Sequence, residues 1–566
     1  MSSASLRTAP PSGERAVDEA VHRVQSHARE LAQLRPSQKA ALLRECIPRV
    51  MAEAADWVAS GARARDAAPA EEWLGGIIPT VRYFRLLAES LDAIARHGRP
   101  PLGRNVTVRP DGRTEIDVFP ASAIDGLTFQ GFTGTVVMQE GVTPSEARER
   151  QAAFHQERDP EGGVSAILGA GNVSSIPPMD VATKMFIEGH ACVLKMNPVN
   201  EWVGPHLERA LQPLIRRGYL AILYGGGDVG AHLAHHPDVA DVHITGSNHT
   251  HDLIVWGTPG PERDRRLEHD DPLLTVPITS ELGNVSPVAV VPYHYNDDEL
   301  WFMARNVATM VWNNGSFNCN AAKMLITAAE WPQRDRFLTL VGRALGEAPA
   351  RRAYYPGAFD RYRTLLAGRD VERFGAGDDE RLAWAFVRGL DPDDPSEPLF
   401  TTEPFCGILA ETALGGDDPV EFLDLATHFM NERLWGTLNA TLMVHPRHEE
   451  DDIIETAVER AILDLRYGTV AVNHWPALGY AFCSTPWGGH PSATLRDIQS
   501  GLGWVHNSYM LDGIEKVVIR GPRVVKPHPT WFYDSPNAEK LAPAAADMEA
   551  RPSLLKLPGL LAKALR

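Results

Sequence analysis

The chain has 566 residues, 44% hydrophobic and 23% charged, which is enough for two to four domains with buried cores and too apolar for a disordered chain. Fifty-five basic against 73 acidic residues give a net charge of −18, which argues against a broad nucleic-acid-binding face. No apolar run reaches bilayer length, the start lacks a signal-like core, and Cys46, Cys192, Cys319, Cys406 and Cys483 form no CxxC pair, so the expectation is a cytoplasmic protein with free thiols and no membrane partner.

Residues 15–99 read as helices, with apolar residues at three- and four-residue steps and a stop at Gly98 before Pro100–Pro101. From about 102, TVRPDGRTEIDVFPA and GTVVMQEGV alternate like strands around a Pro-Asp-Gly turn. Between Gly163 and about 280 the order is strand, helix, strand, helix: GVSAILGAG, ACVLKMNP, YLAILYGGG and DVHITGS are the strands, and VGPHLERALQPLIRRG reads as one of the helices. Continuous apolar strands alternating with helices predict a parallel sheet covered on both faces, which binds ligands at its carboxyl ends. That places Asn172, Lys195, the glycines at 225–230 and Ser247 at the binding edge. A second alternating region runs from 281 to 505, EKVVIRGPRVVK reads as a strand pair, and SLLKLPGLLAKALR reads as a peripheral helix on the protein's own surface.

Several residues invite chemistry. Gly225-Gly226-Gly227-Asp228-Val229-Gly230 fits GxGxxG between a strand and a helix, where backbone can approach a phosphate, although a plain turn needs glycines too. No acidic ribose partner stands ~20 residues on, so the usual dinucleotide fingerprint is incomplete. Cys319 lies among amides and glycine in WNNGSFNCNAAK, a polar turning segment suited to a reactive thiolate. Glu281 ends a strand-like run, where partial desolvation would raise its pKa and make it a general base. His232 and His236 have a zinc-compatible spacing, but no further ligand completes a set and no metal is expected. P-loop, HExxH and GxSxG motifs are absent.

In order and spacing these segments resemble the aldehyde dehydrogenase superfamily from about 30 to 505. Asn172 in Gly-Ala-Gly-Asn-Val and Lys195 in Leu-Lys-Met-Asn-Pro match that family's strand-end Asn and ribose-binding Lys. His236-Pro-Asp-Val, Ile244-Thr-Gly246-Ser247, Glu281-Leu-Gly-Asn, Glu403-Pro-Phe405, Gly468-Thr-Val-Ala-Val-Asn and Pro486-Trp-Gly-Gly are similar to its later motifs. The resemblance implies an α/β fold: a Rossmann-type cofactor domain (1–109 and 161–280), an α/β catalytic domain (281–505) and a β-hairpin oligomerisation arm (110–160 and 506–530), followed by a tail (531–566). It further implies an NAD- or NADP-dependent oxidation of an aldehyde to a carboxylic acid in a homodimer or homotetramer. Cys319 would be the nucleophile, Asn172 the oxyanion donor and Glu281 the general base. Lys195, Gly227, Gly230, Gly246, Ser247, Glu403 and Phe405 would line the cofactor site. One departure stands out: the family's cysteine follows its motif glycine by three residues, whereas Cys319 follows Gly315 by four. An ungapped match puts Asn318 in the nucleophile's place; a one-residue bulge puts Cys319 there. The alternatives are a catalytically silent scaffold and a coenzyme A-linked acyl reductase or aldehyde dehydrogenase.

Overall fold

In helix Ile78–His97 the residues Val81, Phe84, Leu87, Leu91 and Ile94 recur at the helical period and are all buried, so this face packs on helix Pro36–Arg65. Gly98 ends the helix in the left-handed region (φ 80°), a conformation that costs glycine nothing. These helices belong to a computed structural model that describes residues 9–448 and 450–564.

Three antiparallel strands follow: β1 (Asn105–Val108), β2 (Thr114–Phe119) and β3 (Thr133–Met138). Gly112, at φ 86°, closes the expected turn between β1 and β2. The next five strands, β4 (Val164–Leu168), β5 (Ala191–Lys195), β6 (Leu220–Leu223), β7 (Asp241–Thr245) and β8 (Ile278–Glu281), form a wholly parallel sheet of order β6-β5-β4-β7-β8. Every residue of β4, β5 and β7 is buried, as a sheet covered on both faces requires. The chain runs outward from β4 to β6, then returns to the other side with β7. That reversal opens a crevice at the carboxyl ends of β4 and β7, with Asn172 beyond one and Gly246 and Ser247 beyond the other.

The remaining strands are β9 (Pro287–Val290), β10 (Met324–Ala328), β11 (Arg351–Arg352), β12 (Glu372–Phe374), β13 (Arg381–Leu382), β14 (Trp384–Leu390), β15 (Ile408–Leu414), β16 (Asn439–Met443), β17 (Thr469–Val472) and β18 (Ile514–Arg520). Apart from the small β11–β13 ribbon they join β1–β3 in an eleven-stranded sheet, β1-β2-β3-β18-β17-β16-β9-β10-β15-β14-β12. Its central strands, β18 through β14, are parallel. Val518 of β18 is in register with Val470 of β17 on one side and Thr135 of β3 on the other, so the hairpin β1–β3 continues this chain's own sheet.

Two expectations change. EKVVIRGPRVVK yields one strand instead of a pair, because Pro522 removes a ladder donor from its second half and Pro527 follows directly. VGPHLERALQPLIRRG breaks into helices Gly204–Ala210 and Gln212–Ile215, with the break just before Pro213. In the tail, helix Ala538–Ala550 packs on Ile78–His97, where Glu549 pairs with Arg82 at 2.8 Å and Arg85 at 2.6 Å. Helix Leu557–Ala564 then packs on Ala538–Ala550.

Candidate active site

Glu281 is the last residue of β8, and residues 282–286 cross from the smaller sheet to β9 of the larger. Cys319 lies in the segment between helix Asp297–Trp312 and β10. The two residues therefore meet where the sheets meet, and with Asn172 they line one cavity.

The backbone before Cys319 is unusual. Asn314, Gly315 and Ser316 are all left-handed (φ 54°, 65° and 67°), a tight coil that accommodates the additional residue between Gly315 and Cys319. The Asn318 side chain turns back into this coil: its Nδ2 donates to Asn313 Oδ1 at 2.9 Å, and its Oδ1 accepts from Asn314 Nδ2 at 3.0 Å. Cys319, by contrast, presents its thiol to the Glu281 carboxyl. Three donors hold the segment from outside. Lys323 Nζ donates to the carbonyls of Asn318 (2.9 Å) and Ala321 (3.0 Å), Ser286 Oγ to that of Cys319 (2.9 Å), and Trp475 Nε1 to that of Asn320 (2.7 Å).

Glu281 is 4% exposed, and its Oε1 has no hydrogen-bond partner among the described residues. Burial raises its carboxyl to about 7, with the charges of Asp180 and Glu403 adding, while the Cys319 thiol and Trp487 indole oppose the shift. Burial and the facing Glu281 push the Cys319 thiol well above its ordinary value, opposed by the Lys323 ammonium. Asn172 Nδ2 donates to the Phe317 carbonyl at 3.0 Å, and the Asn172 carbonyl accepts from Asn314 Nδ2 at 3.0 Å. An amide nitrogen carries two hydrogens, so one N–H of Asn172 remains for a ligand.

Across the domain junction lies the crevice of the smaller sheet. Lys195, the last residue of β5, is 8% exposed; burial lowers its pKa to about 8, opposed by the charges of Glu201 and Asp228. Gly227 and Gly230 lie on helix Gly227–Ala234, which follows β6; the space a side chain at Gly227 would take is open, and Gly230 faces Leu168 and the Lys195 stem. Ser247 caps helix Asn248–Val255, its Oγ accepting from Thr250 N at 3.2 Å, and Gly246 N donates to the Glu281 carbonyl at 3.1 Å. Glu403 reaches Lys323 Nζ at 3.2 Å and presses on Gly283 so closely that a Cβ there would lie 1.9 Å from Glu403 Oε2. Phe405, left-handed at φ 43°, packs its ring on Phe317 and Tyr355. A buried lysine, an open glycine at a helix start and a carboxylate seated against a glycine are groups that suit a nicotinamide dinucleotide.

The sequence reading gives no role to Lys323, which ties the cysteine loop to Glu403, or to Trp487 of the Pro486-Trp-Gly-Gly segment, which faces Glu281. Of the aromatic residues flanking the motifs, Trp475 and Phe482 line the cavity, whereas Trp312 and Phe317 do not. The histidine-rich segment stands apart from it. His232 Nε2 meets Asp18 at 2.7 Å, and His22, His236 and Asp238 bring donor atoms within 4.8 Å of one another, but none of these residues lines the cavity.

No protein-family model matches the chain. An aminoacetaldehyde dehydrogenase of Pseudomonas aeruginosa is 29% identical over 318 residues, 53% of this chain, and the match spans 56% of that relative's length. Among solved structures, the NADP-dependent glyceraldehyde-3-phosphate dehydrogenase of Bacillus halodurans, complexed with NADP, aligns with a TM-score of 0.62 at 15% identity, over 90% of this chain and 92% of that one. Aldehyde dehydrogenase C of Pseudomonas syringae, complexed with NAD+ and octanal, aligns with a TM-score of 0.59 at 15% identity, over 90% and 89%.

Proposed function

Because the chain shares the fold of the aldehyde dehydrogenase structures it aligns with, we propose that it is a member of that superfamily and oxidises an aldehyde to a carboxylic acid with NAD or NADP through covalent capture on Cys319. The observation that carries this reading is the Cys319 thiol facing a buried Glu281 carboxyl whose Oε1 is unpartnered.

Glu281 removes the thiol proton, and the thiolate attacks the carbonyl carbon to give a thiohemiacetal oxyanion. The remaining N–H of Asn172 and the backbone N–H of Cys319 stabilise that oxygen; one such donor is typically worth about 10²–10³ in rate. A bound nicotinamide would supply the hydride acceptor, and loss of hydride from the thiohemiacetal carbon would leave a thioester on Cys319. Glu281, having released its proton, deprotonates water; the resulting hydroxide attacks the thioester carbonyl, and the acid departs as the Cys319 sulfur leaves. A buried base beside the thiol supports hydrolysis over acyl transfer to coenzyme A, and the coil at 314–316 that turns Cys319 toward Glu281 supports an active enzyme over a silent scaffold.

Lys195 would hold a ribose of the cofactor and Glu403 its nicotinamide ribose, Gly227 and Gly230 would admit the pyrophosphate, and Gly246, Ser247 and Phe405 would complete the rim. All five cysteines are free thiols, which fits a reducing cytoplasm. With β3 and β18 already paired within the chain, a homodimer or homotetramer would use the outer edge β1 and neighbouring surfaces. Replacing Cys319→Ala should lower NAD(P)H production from a panel of aldehydes by at least about 10³-fold while cofactor binding persists. Undiminished turnover in that variant would remove the nucleophile assignment.

A further inference from the structure

The cavity that begins at Cys319 and Glu281 does not end with the motifs. It has a volume of about 620 Å³ and runs outward past Phe482 to Leu541, Ala545 and Leu560 of the two tail helices. That lies within the roughly 300–1,000 Å³ of sites that enclose whole drug-sized ligands, far more than a two- or three-carbon aldehyde occupies. The inner end is closed, with Trp487 1% exposed; toward the outside, Leu127 and Leu561 are 49% and 51% exposed.

The tail is fastened as a wall. Glu549 pairs with Arg82 and Arg85, Asp534 with Arg305 at 2.8 Å, the Ala70 N–H donates to Glu539 at 3.1 Å, and Asn537 Nδ2 donates to the Ala564 carbonyl at 3.0 Å. Of the charged residues that line the cavity beyond Glu281, all but Lys526 are paired among the described residues. Arg65 meets Glu72 at 2.9 Å, Arg82 meets Asp125 and Glu549, both at 2.8 Å, and Glu71 is paired with Arg351. What this stretch offers an incoming chain is therefore apolar surface.

We propose that the tail (531–564) forms the outer half of the substrate channel and selects aldehydes that carry an extended apolar chain. This rests on the aldehyde-oxidation reading. Each methylene moved from water into such a wall favours binding by about fourfold. With either cofactor, kcat/KM should therefore rise along propanal, hexanal, octanal and decanal, by at least about 10²-fold from first to last. Ala545→Trp, which fills the channel midway, should lower the decanal-to-propanal ratio at least about tenfold, and Ala545→Leu should lower it in the same direction should the larger side chain prevent folding. Equal kcat/KM for propanal and decanal would overturn the proposal.

A second readout needs no turnover. Dodecanoic acid should protect Cys319 from alkylation by iodoacetamide where propanoic acid does not, and Ala545→Trp should abolish that protection. Protection without oxidation of any aldehyde would overturn the oxidation reading and leave the channel standing. Oxidation of propanal and decanal alike, with neither acid protecting, would do the reverse.

Discussion

Burial holds the Glu281 carboxyl at about 7 and pushes the Cys319 thiol well above its ordinary value, so in the proposed mechanism the thiol depends on Glu281 to lose its proton at neutral pH. The base must be deprotonated to accept that proton, and the deprotonated fraction falls as pH drops below its pKa. The proposed mechanism therefore predicts a kcat/KM that falls about tenfold per unit below pH 7 and levels off above it. In Glu281→Gln that limb should vanish from a pH–rate profile, the first-turnover burst should slow without losing amplitude, and steady turnover should fall about 10²–10⁴-fold. A limb that persists in the variant would assign the titration to another group. Glu403 is positioned by an absence: only a glycine at 283 leaves room for its carboxylate.

At the scale of elements, β18 is the strand that joins the antiparallel hairpin to the parallel sheet, hydrogen-bonded on both sides. Proline is tolerated in sheets essentially at edges, so Val518→Pro should cost about 3 kcal/mol or more, read as a lower urea midpoint, whereas an unchanged midpoint would mean that β18 is not interior. The strands of the smaller sheet were legible because complete burial writes an unbroken apolar run, and the strand-end positions of the candidate binding residues were legible with them. Asn172, Lys195 and Ser247 all stand where strand ends put them. The shift at Cys319 is visible as a count, but the coil before it is not, because three successive left-handed residues, two of them not glycine, leave no compositional trace. Lys323 was equally silent: its partners are two backbone carbonyls and a carboxylate 80 positions away, and no local pattern encodes such a contact. The leucines of the tail announced an amphipathic helix, but periodicity states only that a face is covered, not that the face it meets belongs to the cavity that holds Cys319.

Across the whole molecule, each sheet contributes what the other lacks. The smaller one supplies Lys195, the glycine-rich helix start and the Glu281 base; the larger one carries the Cys319 loop and Glu403; the tail closes the channel between them. Covalent capture at the junction is the step on which this division depends. It can be observed directly in Glu281→Gln, where hydrolysis should be slower than acylation. After mixing with cofactor and an aldehyde that the wild type oxidises, peptide mass spectrometry should find the matching acyl group on Cys319 in an amount equal to the NAD(P)H formed in the burst. NAD(P)H formed with no acyl adduct, or with the adduct on another residue, would contradict the account.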